Sequence, residues 1–503
     1  MTARTQSGKS RTPKNNPYLR RFAAPDAPVR AGALVWLSGV ALLLGGCTVG
    51  PNYQRPSTDV PAAYKESANF KSAQPSDDIA KGKWWEVYAD PQLDALEEQV
   101  IVSNQTLKAA QAQFVQARAA IAVNRAAYYP TVTAGASAAG TRESQTKALF
   151  GTTSPVTYAD YQLPPIDVSW EPDVWGRVRR TVEAARAEAQ ATAADLANTQ
   201  LSLQAELALD YFQLRGLDSQ QQLLDSTVSS YEKALELTDS RYKGGVASAV
   251  DVAQAQTQLE TTRAQAVDVA VDRTAFEHAI AVLIGKSPAE FNQPASPLTL
   301  PPPAIPPGLP SELLERRPDI AAAERRMQEA NAQIGVARAA YFPTFSLTGG
   351  GGFESQAINN LLTGPSGFWS LAGSAAELLF DGGQRHGITQ EARASYDKSV
   401  DNYRQTTLTA FQEVEDNLSA LRVLENEAGI QNAAVAAAQH SLDLSNNRYK
   451  GGVASYLEVT TAQSAALGDE RSAVDVQTRR MAASVLLIKA LGGGWTTAQL
   501  PRL

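Results

Sequence analysis

Eight residues written twice constrain this chain more than anything else in it. Arg241 to Ser248 read RYKGGVAS, and Arg448 to Ser455 repeat them letter for letter 207 residues later. That spacing exceeds any solenoid period, so a whole unit is duplicated. In each copy a long helical pattern precedes the octapeptide and another follows it. Gly-Gly sits poorly inside a helix but supplies the positive φ that ends one. An acid, Asp251 or Glu458, then falls in the first turns of the next helix. Each octapeptide is therefore expected to be the tight turn at the tip of a helical hairpin. A second match lies upstream: residues 121–131, IAVNRAAYYPT, pair with 334–344, IGVARAAYFPT, at an offset of 213. Both end a helix at an aromatic pair followed by proline. The difference between the two offsets places extra residues between these markers in the first copy, where a variable loop belongs.

Between the markers the pattern changes from helical to alternating. After Pro130, Val132, Ala134, Ala136 and Ala138 alternate with small or polar residues, and Ile166, Val168 and Trp170 do so on the return. In the second copy Phe345 and Leu347 alternate with Ser346 and Thr348, and 368–380 holds the return strand. One apolar face and one small or polar face, in runs of about ten, is how a membrane barrel strand is written; a soluble hairpin can read the same way. Tyr128, Tyr129, Trp170, Trp175, Tyr341 and Phe342 stand at the strand ends, where an interfacial girdle would lie. From Gly176 to Lys243 there is no proline, and the only internal glycine is Gly216. Heptad spacing at Leu217, Leu224, Tyr231 and Thr238 forms a seam fit for coiled-coil packing. Residues 176–243 in one helix would reach roughly 100 Å.

Residues 1–46 carry seven Lys/Arg against one acid, Asp26, and contain the apolar run Ala31–Leu44. So short a run behind arginines reads as a secretory signal rather than a membrane span. Leu44-Gly45-Gly46-Cys47 resembles the lipobox of bacterial lipoproteins, in which the signal is cut before the cysteine and the thiol is acylated. Cys47 is the only cysteine, so disulfides are excluded. From Cys47 onward there are 51 acidic and 38 basic residues, which argues against a nucleic-acid partner. With no later apolar run of eighteen, entry into a bilayer requires a closed β-barrel. The chain divides into a signal (1–46), a Pro/Ser/Asn-rich tether (47–80), a first repeat (81–287), a proline-rich linker (288–312), a second repeat (313–495) and a tail (496–503).

Enzyme chemistry finds no footing. His278, His386 and His440 are scattered through helical patterns without metal-ligand spacing. No Walker loop, dinucleotide fingerprint or nucleophile elbow is present. As a whole the pattern is similar to the TolC-type outer membrane factors, in their lipoprotein (NodT/OprM-like) branch. The resemblance is carried, in order, by GPNYQRP at 50–56, WWEVYADPQL at 84–93, LLERRPDIAAAE at 313–324, IGVARAAYFPT at 334–344, the paired RYKGGV tips and KALGGGW at 489–495.

The resemblance implies a mainly α fold with a membrane β-barrel, built as a homotrimer in which twelve strands stand on a periplasmic α-helical barrel. Four strands per chain are too few to close a usable pore, so the strand count asks for the same trimer. It further implies lipid anchoring at Cys47 in the outer membrane of a Gram-negative bacterium, with no other cofactor. The partners implied are outer-membrane lipid, a periplasmic membrane-fusion adaptor and an inner-membrane pump of the resistance-nodulation-division type. The adaptor would meet the tips at Arg241, Tyr242, Gly244, Gly245, Arg448, Tyr449, Gly451 and Gly452. Glu458 and Thr461 match the family's constricting positions, with Leu457 beside them and Asp251 in the equivalent place of the first copy. The plainer role for both acids is charge at a helix N-terminus. The expected function is a passive exit duct for small molecules in a tripartite efflux system. A type I protein-secretion channel and a periplasmic coiled-coil lipoprotein that never spans the membrane are the rivals.

Overall fold

In the computed structural model, residues 48–58, 60–66, 82–142, 144, 157–306, 308 and 310–503 are described, and all belong to one compact unit. The signal segment and Cys47 lie outside the described residues. Helix α1 (Pro91–Ser103) is capped by Asp90, whose carboxylate accepts from the amides of Gln92 and Leu93. Asn104 ends α1 and caps α2 (Gln105–Arg125), while its amide group donates to the Leu283 carbonyl at 2.8 Å. The long helices follow as α3 (Arg177–Lys243) and α4 (Ala249–Leu283). The second copy supplies α5 (Pro318–Ala339), α6 (Gln384–Lys450) and α7 (Tyr456–Ala490). Both α3 and α6 have 67 residues and both α4 and α7 have 35, so the duplication holds residue for residue through the hairpins. Side by side, α2, α3, α5 and α6 form a layer, with α4 paired to α3 and α7 to α6. Ala187, Ala191 and Ala194 of α3 are buried, as are Ala321, Ala322 and Ala332 of α5. Side chains this small let two long helices pack closely over their length.

Midway along the helices, one core draws on both copies. Trp84 and Trp85 are buried, edge-to-face at 5.9 Å, and pack with Leu207, Tyr211, Phe212, Ile280 and Val485. Truncating a tryptophan so placed costs about 3–5 kcal/mol. Nearby, Asp218 holds Arg215 at 3.2 Å and Arg273 at 2.7 Å, and accepts from the amide of Ser296. Arg215 and Arg273 also donate to the carbonyls of Pro294 and Gln293, which staples the proline-rich linker onto α3 and α4.

Glu97 is fully buried on α1, and neither of its carboxylate oxygens has a hydrogen-bond partner. Burial, and then the charge of Asp94, holds its carboxyl well above the usual 4.5. A pKa raised by folding leaves stability intact below the unfolded value and removes it as pH rises through the folded one. Glu97→Gln is therefore expected to melt like the parent below about pH 4.5 and progressively higher than it as pH climbs. Thermal melts across a pH series check this; a constant difference would contradict it.

The strands form a single antiparallel sheet. Strands β1 (Thr131–Ala134) and β2 (Ser137–Arg142) share one edge beside β3 (Thr157–Trp170), followed by β4 (Thr344–Ser355) and β5 (Gly367–Ala376). The run after Pro130, read as one alternating strand, is broken at 135–136. Opposite the break, β3 carries Pro164-Pro165, which lack ladder donors, and its register with β4 shifts there. Val132, Ile166, Val168, Trp170, Leu347, Trp369 and Leu371 share one face, and Thr133, Asp167, Ser169, Thr348 and Ser370 share the other. Trp369 and Leu371 are 81% and 79% exposed. A water-soluble sheet would cover such a face. At its base, Trp170 donates to the Tyr128 carbonyl, and Trp175 donates to the Pro343 carbonyl while stacking on Phe342 at 4.8 Å. No described helix is long and apolar enough to cross a membrane.

The described part of the expected tether, residues 48–58 and 60–66, has little regular structure but is a strap, not a free linker. Val49 donates to the Trp175 carbonyl, and Arg180 of α3 reaches the carbonyls of Val49 and Gly50 and the side chain of Asn52. Gly50, at φ +103°, crosses Gly335 of α5 so closely that an added Cβ would lie 2.5 Å from the Gly335 Cα. Lower down, Arg55 donates to the Tyr403 hydroxyl, and Glu415 accepts from the amides of Lys65 and Glu66. The glycines in GPNYQRP and IGVARAAY thus have one shared physical cause, a close crossing of two backbones.

Candidate functional site: the paired hairpin tips

Both octapeptides turn in the same way. After α3, the amide of Val246 donates to the Arg241 carbonyl at 2.8 Å and that of Gly245 to Tyr242 at 2.9 Å. After α6, Val453 donates to Arg448 and Gly452 to Tyr449, each at 3.0 Å. These paired bonds are a Schellman closure, which needs a left-handed residue just past the helix. Gly245 and Gly452 supply it, at φ +75° and +76°. The first glycine of each pair, Gly244 or Gly451, stays in right-handed backbone at φ −82° or −73°.

Beyond the turn the copies diverge. Asp251 closes a capping box: its carboxylate accepts from the Ser248 amide at 2.8 Å, and its own amide donates to the Ser248 hydroxyl at 3.2 Å. Ser455 makes no such cap, and Glu458 pairs instead with Arg448 at 3.3 Å. Thr461 donates back to the Leu457 carbonyl at 2.8 Å, and the Leu457 side chain is exposed. Ser455 and Glu458 stand at the same capping-box spacing as Ser248 and Asp251, so the spacing alone carries no signal for that difference.

Side chains link the two tips of one chain. Arg241 donates to the Lys450 carbonyl at 3.0 Å, and its guanidinium lies 5.0 Å from the centre of the Tyr449 ring. Tyr449 in turn meets Tyr456 at 5.1 Å, within a small core that includes Ala255 and Val459. Sequence reasoning placed Arg241 and Tyr449 at the tips but missed this contact, since nothing local in the octapeptide encodes it. Val246, Val250, Val453 and Leu457 remain exposed around the turns, an apolar rim beside arginine and lysine. Among the described residues no group of three or more His, Cys, Asp or Glu is placed to hold a metal ion.

The comparisons with known proteins agree along almost the whole chain. The model of the outer membrane efflux protein family matches residues 96–286 and 309–493. The outer membrane protein OprJ of Pseudomonas aeruginosa is 33% identical, over 91% of this chain and 95% of that protein. The toluene efflux pump outer membrane protein TtgC of Pseudomonas putida is 31% identical, over 92% and 96%. The solved outer-membrane channel OprN superposes with a TM-score of 0.84 at 31% identity, over 89% of this chain and all of that one. With both repeats matched, the chain belongs to the outer membrane efflux protein family.

Proposed function

We propose that three copies of this chain form the outer-membrane exit duct of a tripartite efflux system, passing small molecules outward without chemistry or an energy source. The observation that carries this reading is the sheet: four strand positions, two open edges, a polar face, and an apolar face not fit to stand alone in water. Three such sheets joined edge to edge make twelve strands, with the polar face turned to a water-filled lumen. The helices support the same closure. Although equal in length, α3 buries 23 residues and α6 only ten, and α5 buries thirteen against two for α2. The exposed sides of α6 and α2 would cover one another between copies, as α3 and α5 do within one.

Efflux, rather than another cargo, is supported by the relatives named for efflux pumps. The strap begins against Trp175 at the base of the sheet, so a lipid carried by the preceding Cys47 would lie near the membrane surface. The tips, at the far end of 67-residue helices, would meet a periplasmic adaptor and, through it, an inner-membrane pump of the resistance-nodulation-division type. Glu458 would set the charge of the narrow end. Purified protein should run as a heat-modifiable trimer and conduct ions in a planar bilayer; a monomer that passes no current would refute the duct. In that bilayer, Glu458→Gln is expected to lower the permeability of potassium relative to chloride. An unchanged reversal potential would remove Glu458 from the constriction.

A further inference from the structure

We propose that a cavity on α3, just below the sheet, binds the phosphodiester headgroup of a phospholipid, with the Arg186 guanidinium as its main ligand. The inference rests on the barrel reading above, which puts the base of the sheet at a membrane surface, and adds one lipid site per copy to it.

Arg179, Glu183, Arg186 and Gln190 recur at intervals of three and four residues along α3, which puts them in one stripe. With Tyr128, just past α2, and Gln328 of α5, they line a cavity of about 370 Å³. One water occupies about 30 Å³ of liquid, so the space is far larger than a single trapped water needs. The charged groups around it are not alike. Arg179 is held by Asp173 at 3.2 Å, and Glu183 is taken by Arg180 at 2.8 Å. Arg186 has no such tie. Its Nε is shut off from water without an acceptor, and among the described residues no carboxylate comes within ion-pair reach of its guanidinium. A shielded donor left without a partner is costly and calls for a ligand. Around Arg186 the lining can donate as well: Gln328 accepts from Arg325 at 2.9 Å through its oxygen, which leaves its amide N–H groups to give, and Tyr128 brings a hydroxyl. An anion with several oxygens answers these donors, and phosphate matches a guanidinium fork two oxygens at a time.

Depth and side select the source of that phosphate. Trp175 and Tyr128 stand at the base of the sheet, and α3 begins at Arg177. Arg186 lies nine residues further, about 14 Å along the helix. Helical side chains lean back over the preceding turn, so the guanidinium rises toward the membrane. It then lies close under the headgroup layer, within reach of a phosphate carried there. The cavity also faces outward. Arg180 bonds Glu183 in its lining and the carbonyls of Val49 and Gly50 in the strap, so cavity and strap share one side of the helical layer. A strap tied to the bilayer through Cys47 runs outside a closed tube, where lipid can reach it.

The test uses the full-length trimer in detergent, stripped of lipid and titrated with dioleoyl phosphatidylglycerol while native mass spectra count the molecules retained. The parent should fill one site per copy before further lipid adds. Arg186→Ala should weaken that binding about tenfold or more in an intact trimer, since a charged pair is lost. Arg186→Lys, which keeps the charge but not the fork, should weaken it less, and Tyr128→Phe less again. Should Arg186→Ala fail to assemble, the other two variants decide by the same readout. Arg263→Ala removes an exposed arginine of α4 and should change nothing. Diacylglycerol, which lacks phosphate, should not fill the sites, and excess inorganic phosphate should not empty them. Equal retention by the parent and the Arg186 variants, or an equal loss in Arg263→Ala, would overturn the site. Displacement by inorganic phosphate would mean a pocket for the free ion and would overturn the lipid. A parent trimer that conducts in bilayers yet retains no lipid would sink this proposal alone; a parent that neither assembles nor conducts would sink the duct.

Discussion

Asp218→Ala should cost the helical part of the molecule about 3–5 kcal/mol, because it leaves the Arg215 guanidinium in the interior with its charge uncompensated and Arg273 with Glu277 alone. The Asp218 side chain is 1% exposed, Arg215 4% and Arg273 19%, so water cannot take the place of the missing carboxylate. The loss extends beyond ion pairing. The Asp218 carboxylate also accepts from the Ser296 amide, and its two arginines hold the carbonyls of Gln293 and Pro294. These bonds fasten the segment that joins one repeat to the other, so the linker should become open to proteolysis near 288–306 before the helices unfold. Asp218→Asn keeps the shape and one acceptor, and should lose markedly less. Urea unfolding of the detergent-extracted protein, with limited proteolysis alongside, measures both effects. If alanine and asparagine are equally mild, the network is ornamental and the core around Trp84 and Trp85 alone holds the middle of the molecule.

What could be read from the chain beforehand follows a physical division. The tips, the lengths of the long helices and the positions of the strands are set by residues acting on their own backbone: glycine at a positive φ, proline without a donor, alternation across a pleat. Those features were legible. The break at 135–136 was not, because its cause lies across the ladder in Pro164-Pro165, and pairing decides what a proline interrupts. The strap was half legible: the lack of regular structure shows in its composition, but its attachment depends on Arg180 and Gly335, which are distant in sequence. The tips give the sharpest case. Arg241 and Arg448 stand in the same eight letters and make the same turn, yet their side chains go to different places. Local sequence determines the backbone there, and the neighbouring tip determines the contact. Asp251 and Glu458 separate similarly. Asp251 is taken up by its own cap, while Glu458, beside a serine that makes no cap, pairs with an arginine.

The two faces of the sheet can be told apart by placing the same charge on each. Leu371 lies opposite Gly349 of β4, in line with Val168 and Val132, and is 79% exposed. Ser370, one residue earlier, lies opposite Gly350 on the face that carries Asp167 and Thr133. If the apolar face meets lipid, Leu371→Arg places a guanidinium in hydrocarbon at a cost of about 2–4 kcal/mol per copy at mid-depth, and a trimer suffers it three times. Heat-modifiable trimer should then all but vanish from outer-membrane fractions. Ser370→Arg puts the same side chain into a wide aqueous lumen, where Asp167 offers an opposite charge. It should assemble normally and show itself only as a shift of ion preference toward anions. Two adjacent residues, one identical replacement and opposite outcomes leave little room for another cause, since the strand and the introduced side chain are shared and Ser370→Arg is the larger change in bulk. Equal tolerance at both positions would mean that neither face touches hydrocarbon, and the sheet would then have to be covered by something other than a bilayer.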